Sequence, residues 1–150
     1  MTARTPVSQY YLPEALGLPA PSPDGVDAGF WEAAARHELV IQRCTDCRAL
    51  RHPPQFMCAA CLSMDFDWKP VAGLGTIYSF MNVNHAAHPA LAERVPFNIV
   101  SVDLDGAPGI RMVGNLVDAD YKDIQIGMAV RVHWEDHPEA GITIPRWQRA

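Results

Sequence analysis

The chain has 150 residues, 49% of them hydrophobic, and a formal net charge of −5 with its histidines neutral. That length and apolar content allow one proper core, or a smaller core beside a metal module that needs little core of its own. The acidic balance argues against nucleic acid as the principal partner, because phosphate binding draws on clustered lysine and arginine. No apolar run approaches the length of a membrane span and neither end carries a lipidation motif, so a soluble, cytoplasmic protein is expected.

Residues 1–26 are expected to form an extended arm. Pro6, Pro13, Pro19, Pro21 and Pro23 forbid a long helix, and the polar, proline-bearing start does not read as a secretory signal. Tyr10, Tyr11, Leu12, Leu16 and Leu18 supply apolar anchors. The arm is therefore either packed on this protein or a partner, or a disordered leader.

Residues 27–70 form the second expected unit. Asp27 is placed to cap a helix over residues 28–38, on which Phe30, Trp31, Ala34, Ala35 and Leu39 make an apolar stripe. Leu39-Val40-Ile41-Gln42 then reads as a strand leading to Cys44-Thr45-Asp46-Cys47, and ten residues later comes Cys58-Ala59-Ala60-Cys61. These are all four cysteines of the chain. A Cys-x-x-Cys turn lets two thiolates converge on one ion, and two such turns complete a tetrahedral shell suited to zinc. Disulfides would imply an oxidising compartment, and a thioredoxin-like dithiol needs one motif beside a strand–helix unit. Iron in the same four thiolates stays open. A shell of four protein ligands is closed, which points to one structural Zn2+ on Cys44, Cys47, Cys58 and Cys61 rather than to a catalytic metal. Between the knuckles, Arg51-His52-Pro53-Pro54 reads as a loop, with His52 at the surface or behind the ligands, and Phe66-Asp67-Trp68-Lys69 as the strand leaving the ribbon.

Over residues 71–150 short strands alternate with turn signals. Strands are expected over 76–83, 97–104, 110–117, 129–135 and 142–144, the last ended by Pro145. Gly114 is the expected bulge that lets the sheet curl, and Val130, Val132 and Trp134 are expected to face opposite to Arg131, His133 and Glu135. Five strands with a polar interval over 118–125 fit an OB-fold barrel, with a generic β-sandwich as the competing architecture.

Catalytic chemistry is hard to assemble from these residues. Metal binding would commit every cysteine, leaving no thiol nucleophile. His85 and His88 are spaced to grip a metal, although a polar loop gives the same pattern. His133, Glu135 and His137 run as His-x-Glu-x-His, which is not the helical His-Glu-x-x-His of zinc proteases. Tyr78 and Phe80, expected on one side of their strand, keep a second function in view: an OB-fold module that stacks single-stranded nucleic acid on aromatics.

The order of several short pieces resembles a known family, the zinc-ribbon and OB-fold proteins that accompany acyl-CoA enzymes. They are Phe30-Trp31-Glu32, Leu39-Val40-Ile41-Gln42-Arg43-Cys44, Arg51-His52-Pro53-Pro54, Gly75-Thr76-Ile77-Tyr78-Ser79, Val95-Pro96-Phe97, Gly127-Met128-Ala129-Val130 and Ile144-Pro145-Arg146-Trp147. The resemblance implies a mainly β chain, with an N-terminal helix and rubredoxin-like zinc ribbon followed by a five-stranded OB-fold barrel. It also implies a non-catalytic accessory subunit whose partner, a thiolase-like or aldolase-like enzyme, supplies the reacting groups while the complex holds an acyl-CoA. CoA phosphates would want cations, and Arg43, Arg48 and Arg51 near the ribbon are the candidates, with Arg146 and Arg149 near the end. Trp31 and Trp147 are expected to add apolar surface for docking.

Overall fold

The structure, a computed structural model, describes Ser22 and residues 25–150, so the arm expected over residues 1–26 lies almost wholly outside the described residues. The fold is mainly β. Helix α1 (Ala28–Ala34) is followed by β1 (Leu39–Cys44), β2 (Leu50–Arg51) and β3 (Phe66–Val71), which pair in the antiparallel order β2-β1-β3. Then come β4 (Leu74–Val83), a 3-10 turn at Pro89–Leu91, β5 (Phe97–Leu104), β6 (Arg111–Gly114), β7 (Ala129–His137) and β8 (Ile142–Arg149), in the sheet order β6-β5-β4-β7-β8.

The helix stops earlier than its apolar stripe predicts. Glu38 N–H donates to Ala33 O and His37 N–H to Ala34 O, with His37 left-handed at φ 59°, the hydrogen-bond pattern of a Schellman stop. Histidine is an unusual residue for that conformation. Its ring stacks at 4° on Trp134, and its Nε2 lies 2.9 Å from Asp136 Oδ1, contacts that hold it there. Asp27 flanks the helix without capping it, because its carboxylate accepts instead from Trp31 Nε1 at 2.9 Å.

The larger sheet curls into a nearly closed barrel. Val117 N–H donates to Trp147 O at 2.8 Å and Trp147 N–H to Asn115 O at 2.9 Å, joining the segment after β6 to the far edge strand β8. Asn98 holds that segment, donating from Nδ2 to Leu116 O and accepting Leu116 N–H. This explains why only half of the strand expected over 110–117 lies in the β5 ladder. Trp147, fully buried, plugs the seam among Ile77, Val100, Val102, Leu116 and Val130. It is a core residue, not docking surface.

Three further expectations change. Gly114 is not a bulge: its register with Val100 is regular, and a Cβ there would stand 2.8 Å from the Trp147 ring, so the glycine makes room for that ring. The irregularity lies in β4 between Ile77 and Ser79. It breaks the alternation, so that Tyr78 is exposed while Phe80 packs on the core. Pro145 does not end β8. Trp147 and Arg149 send their N–H groups away from β7, to Asn115 and Asp118, and Pro145 shares their parity, so its missing donor costs no bond to β7.

On β7 the expected facing fails after Val132. The strand pairs with β4 only over Ala129–Arg131 and then continues beyond it against β8 alone. There Glu135 and His137 are 2% and 4% exposed, with Arg146 donating to both Glu135 carboxylate oxygens at 3.2 Å and His137 Nε2 2.7 Å from Oε1. Among the described residues no helix is long and apolar enough to cross a membrane.

Candidate metal centre

The two cysteine turns have the same backbone. Cys44 O accepts from Arg48 N–H and Cys44 N–H donates to Ala49 O; Cys58 O accepts from Leu62 N–H and Cys58 N–H donates to Ser63 O. Arg48 and Leu62 both take left-handed conformations, φ 66° and 65°. Each turn thus reverses the chain within one motif and aims both of its side chains inward.

The turns face each other. All four Sγ atoms lie within 4.8 Å of one another, with Cys44 to Cys61 at 3.6 Å and Cys47 to Cys58 at 3.5 Å. Zinc–sulfur bonds of about 2.3 Å in a tetrahedron put sulfurs roughly 3.8 Å apart, so the donor set fits one ion of that size. Cys44 and Cys58 are buried, while Cys47 and Cys61 face solvent.

The electrostatics also call for a cation. Backbone N–H groups of Cys47 and Asp46 lower the Cys44 thiol, and those of Cys61 and Ala60 bring Cys58 down to about 6. Cys61 goes the other way, to about 12: the Ser63 N–H pulls it down, but crowding by the other three sulfurs and desolvation prevail. Four thiolates cannot coexist here without a positive charge at their centre.

The other sequence candidates do not converge. Arg43 and Arg51 leave the ribbon sheet on opposite faces, since Arg43 pairs with Leu50 and Gln42 with Arg51. Arg43 is bound to Asp67, Arg51 is 8% exposed, and Arg48 stands exposed on the first turn. His52 is half-buried, its ring 5.7 Å from that of Phe30, and burial lowers its pKa. His88 Nδ1 accepts Ala90 N–H and caps the 3-10 turn, and the cysteine quartet is the one metal-competent cluster found among the described residues. The amide of Gln148 bridges His133 and Arg131, its nitrogen 3.0 Å from His133 Nδ1. Arg146 is drawn into the Glu135 cluster and Arg149 onto Asp118. The sequence gives Gln42 no role beyond its strand and Glu135 none beyond a pattern that is not a protease motif. The available signals were a glutamine directly after the apolar run 39–41 and an acid between two histidines on a strand.

Family models agree with this architecture: one described as ChsH2, rubredoxin-like zinc ribbon domain, matches residues 31–67, and one described as ChsH2, C-terminal OB-fold domain, matches 68–135. A solved structure named Ltp2-ChsH2(DUF35) aldolase is 38% identical, with a TM-score of 0.73, over 88% of this chain and 98% of that one. The chain belongs to the ChsH2 (DUF35) family. A relative from Thermomonospora curvata, named probable enoyl-CoA hydratase alpha subunit, is 40% identical over 92% of this chain but only 41% of its own length. A DUF35 domain-containing scaffold protein of Methanocaldococcus jannaschii is 28% identical over 71% of this chain and 74% of its own. The chain therefore spans well under half of the hydratase-named relative.

Proposed function

We propose that this chain is a non-catalytic accessory subunit that carries one structural zinc on Cys44, Cys47, Cys58 and Cys61, docks on an aldolase-like or thiolase-like enzyme, and helps hold its acyl-CoA substrate. The observation that carries the reading is the match to nearly the whole of one chain of a structure named Ltp2-ChsH2(DUF35) aldolase. The scaffold name of a relative supports the non-catalytic part.

The surface supports docking at the ribbon. Phe56 and Met57 before Cys58, and Leu62 and Met64 after Cys61, are 63%, 48%, 66% and 59% exposed. Apolar side chains grouped at one metal-held turn are what a partner would cover. Tyr78, Met81 and Val113 add apolar surface on the barrel. Of the three ribbon arginines we assign contact with CoA phosphates to Arg48 alone, because Arg43 is paired and Arg51 is enclosed. The hydratase-named relative favours a second reading, in which the same unit serves a hydratase. The nucleic-acid alternative loses its support, since Tyr78 and Phe80 do not share a face.

The test is co-expression with aldolase-, thiolase- and hydratase-type enzymes, followed by size-exclusion chromatography and turnover assays. Co-elution with one of them, with turnover only in the mixture, is expected. Turnover by the isolated chain, or a monomer with affinity for none of them, would overturn the reading.

A further inference from the structure

On the face of the ribbon sheet away from Arg43, Gln42 of β1 and Arg51 of β2 stand directly opposite each other. Gln42 is fully buried and Arg51 is 8% exposed. Arg51 is always charged, yet none of its three guanidinium nitrogens meets an acceptor among the described residues, and neither does Gln42 Nε2. The nearby groups offer no remedy. Gln42 Oε1 is taken by Gln55 N–H at 2.8 Å, Asp67 projects to the other face and is bound by Arg43, and the Phe66 ring lies 5.9 Å from the guanidinium carbon.

A buried cation with no hydrogen-bond acceptor in reach costs several kcal/mol, whereas unpaired surface arginines cost nothing of the kind. The unmet groups of Arg51 and Gln42 are all donors, set side by side by strand register, and the Nδ1 of the adjoining His52 is unmet as well. We infer that Arg51 and Gln42 form a buried anion site that takes a carboxylate. The guanidinium fork matches a planar two-oxygen acceptor, and the Gln42 amide adds a third donor to one of its oxygens. Near-complete enclosure favours a small planar group over a tetrahedral phosphate. The carboxylate arrives either as a small free acid or on an acidic side chain. The inference does not rest on the accessory-subunit reading, and its test needs no partner.

The zinc-loaded chain is melted in sodium chloride, acetate, phosphate and the capped tripeptide Gly-Glu-Gly at matched ionic strength. Acetate is expected to raise the midpoint saturably, on the order of 5 °C, while phosphate matches chloride. Arg51→Met abolishes the acetate response, and Gln42→Met weakens acetate binding about tenfold. A response to the tripeptide as well assigns an acidic side chain as the source; a response to acetate alone assigns a small acid. If Arg51→Met does not fold, the wild-type titration and Gln42→Met decide. Acetate indistinguishable from chloride, an acetate effect unchanged in either variant, or a response to phosphate alone overturns the assignment.

Discussion

Arg43 and Asp67 meet across β1 and β3 as a two-pronged ion pair, Nε to Oδ1 at 2.8 Å and Nη2 to Oδ2 at 2.5 Å. The hydrogen bonds from Arg43, and then its charge, hold the Asp67 carboxyl below its ordinary value of 3.8. A depressed folded value gives stability that is present above the unfolded pKa and lost as pH falls through the folded one. Carboxyl NMR titration is expected to place the Asp67 midpoint below 3.8 and to shift it upward in Arg43→Gln. Coincidence with a random-coil aspartate would refute the pairing.

Metal content is the second measurement. Elemental analysis should return one zinc per chain and no visible absorbance, whereas iron in the same thiolates would be coloured. Structural zinc contributes about 10–16 kcal/mol of apparent binding energy in finger peptides. Chelation under reducing conditions, or Cys58→Ser, is therefore expected to lose the ion and lower the unfolding midpoint by well over ~10 °C.

Gly114→Ala tests the barrel seam. The added carbon would sit 2.8 Å from the Trp147 ring, which is fully buried and has no room to retreat. A loss of about 1–3 kcal/mol in denaturant unfolding is expected. Coupling the change to Trp147→Phe should recover part of it, and strictly additive losses would show that the two residues do not meet.

The Glu135 cluster offers a sharper contrast. Glu135→Ala leaves Arg146 and His137 enclosed without their shared carboxylate and should cost about 3–5 kcal/mol, read from urea midpoints. Glu135→Gln keeps the shape and one acceptor, so it should cost less. Equal losses would mean that shape, not charge, is what matters there.

The parts of this fold written in local chemistry could be read before the structure was in hand. Paired Cys-x-x-Cys turns announce the cysteine quartet, and alternation between turn residues places the barrel strands. What escaped depends on neighbours remote in sequence. The α1 stop needs His37 to find Trp134 and Asp136, nearly a hundred residues away. Burial of Glu135 follows from β7 outrunning β4, a fact of strand length rather than of composition. The apparent kinship of Arg43 and Arg51 was an accident of proximity along the chain, since strand pairing sends them to opposite faces.

The second cysteine turn has one more consequence. Phe56, Met57, Leu62 and Met64 flank Cys58 and Cys61 and are exposed, so an ion on those cysteines would hold the segment that carries them. Stripping the ion would release that greasy loop into water as a loose tether, able to find its counterpart on any other copy. Material prepared with a chelator should therefore cloud and sediment on storage rather than persist as a quiet, reversible unfolded pool.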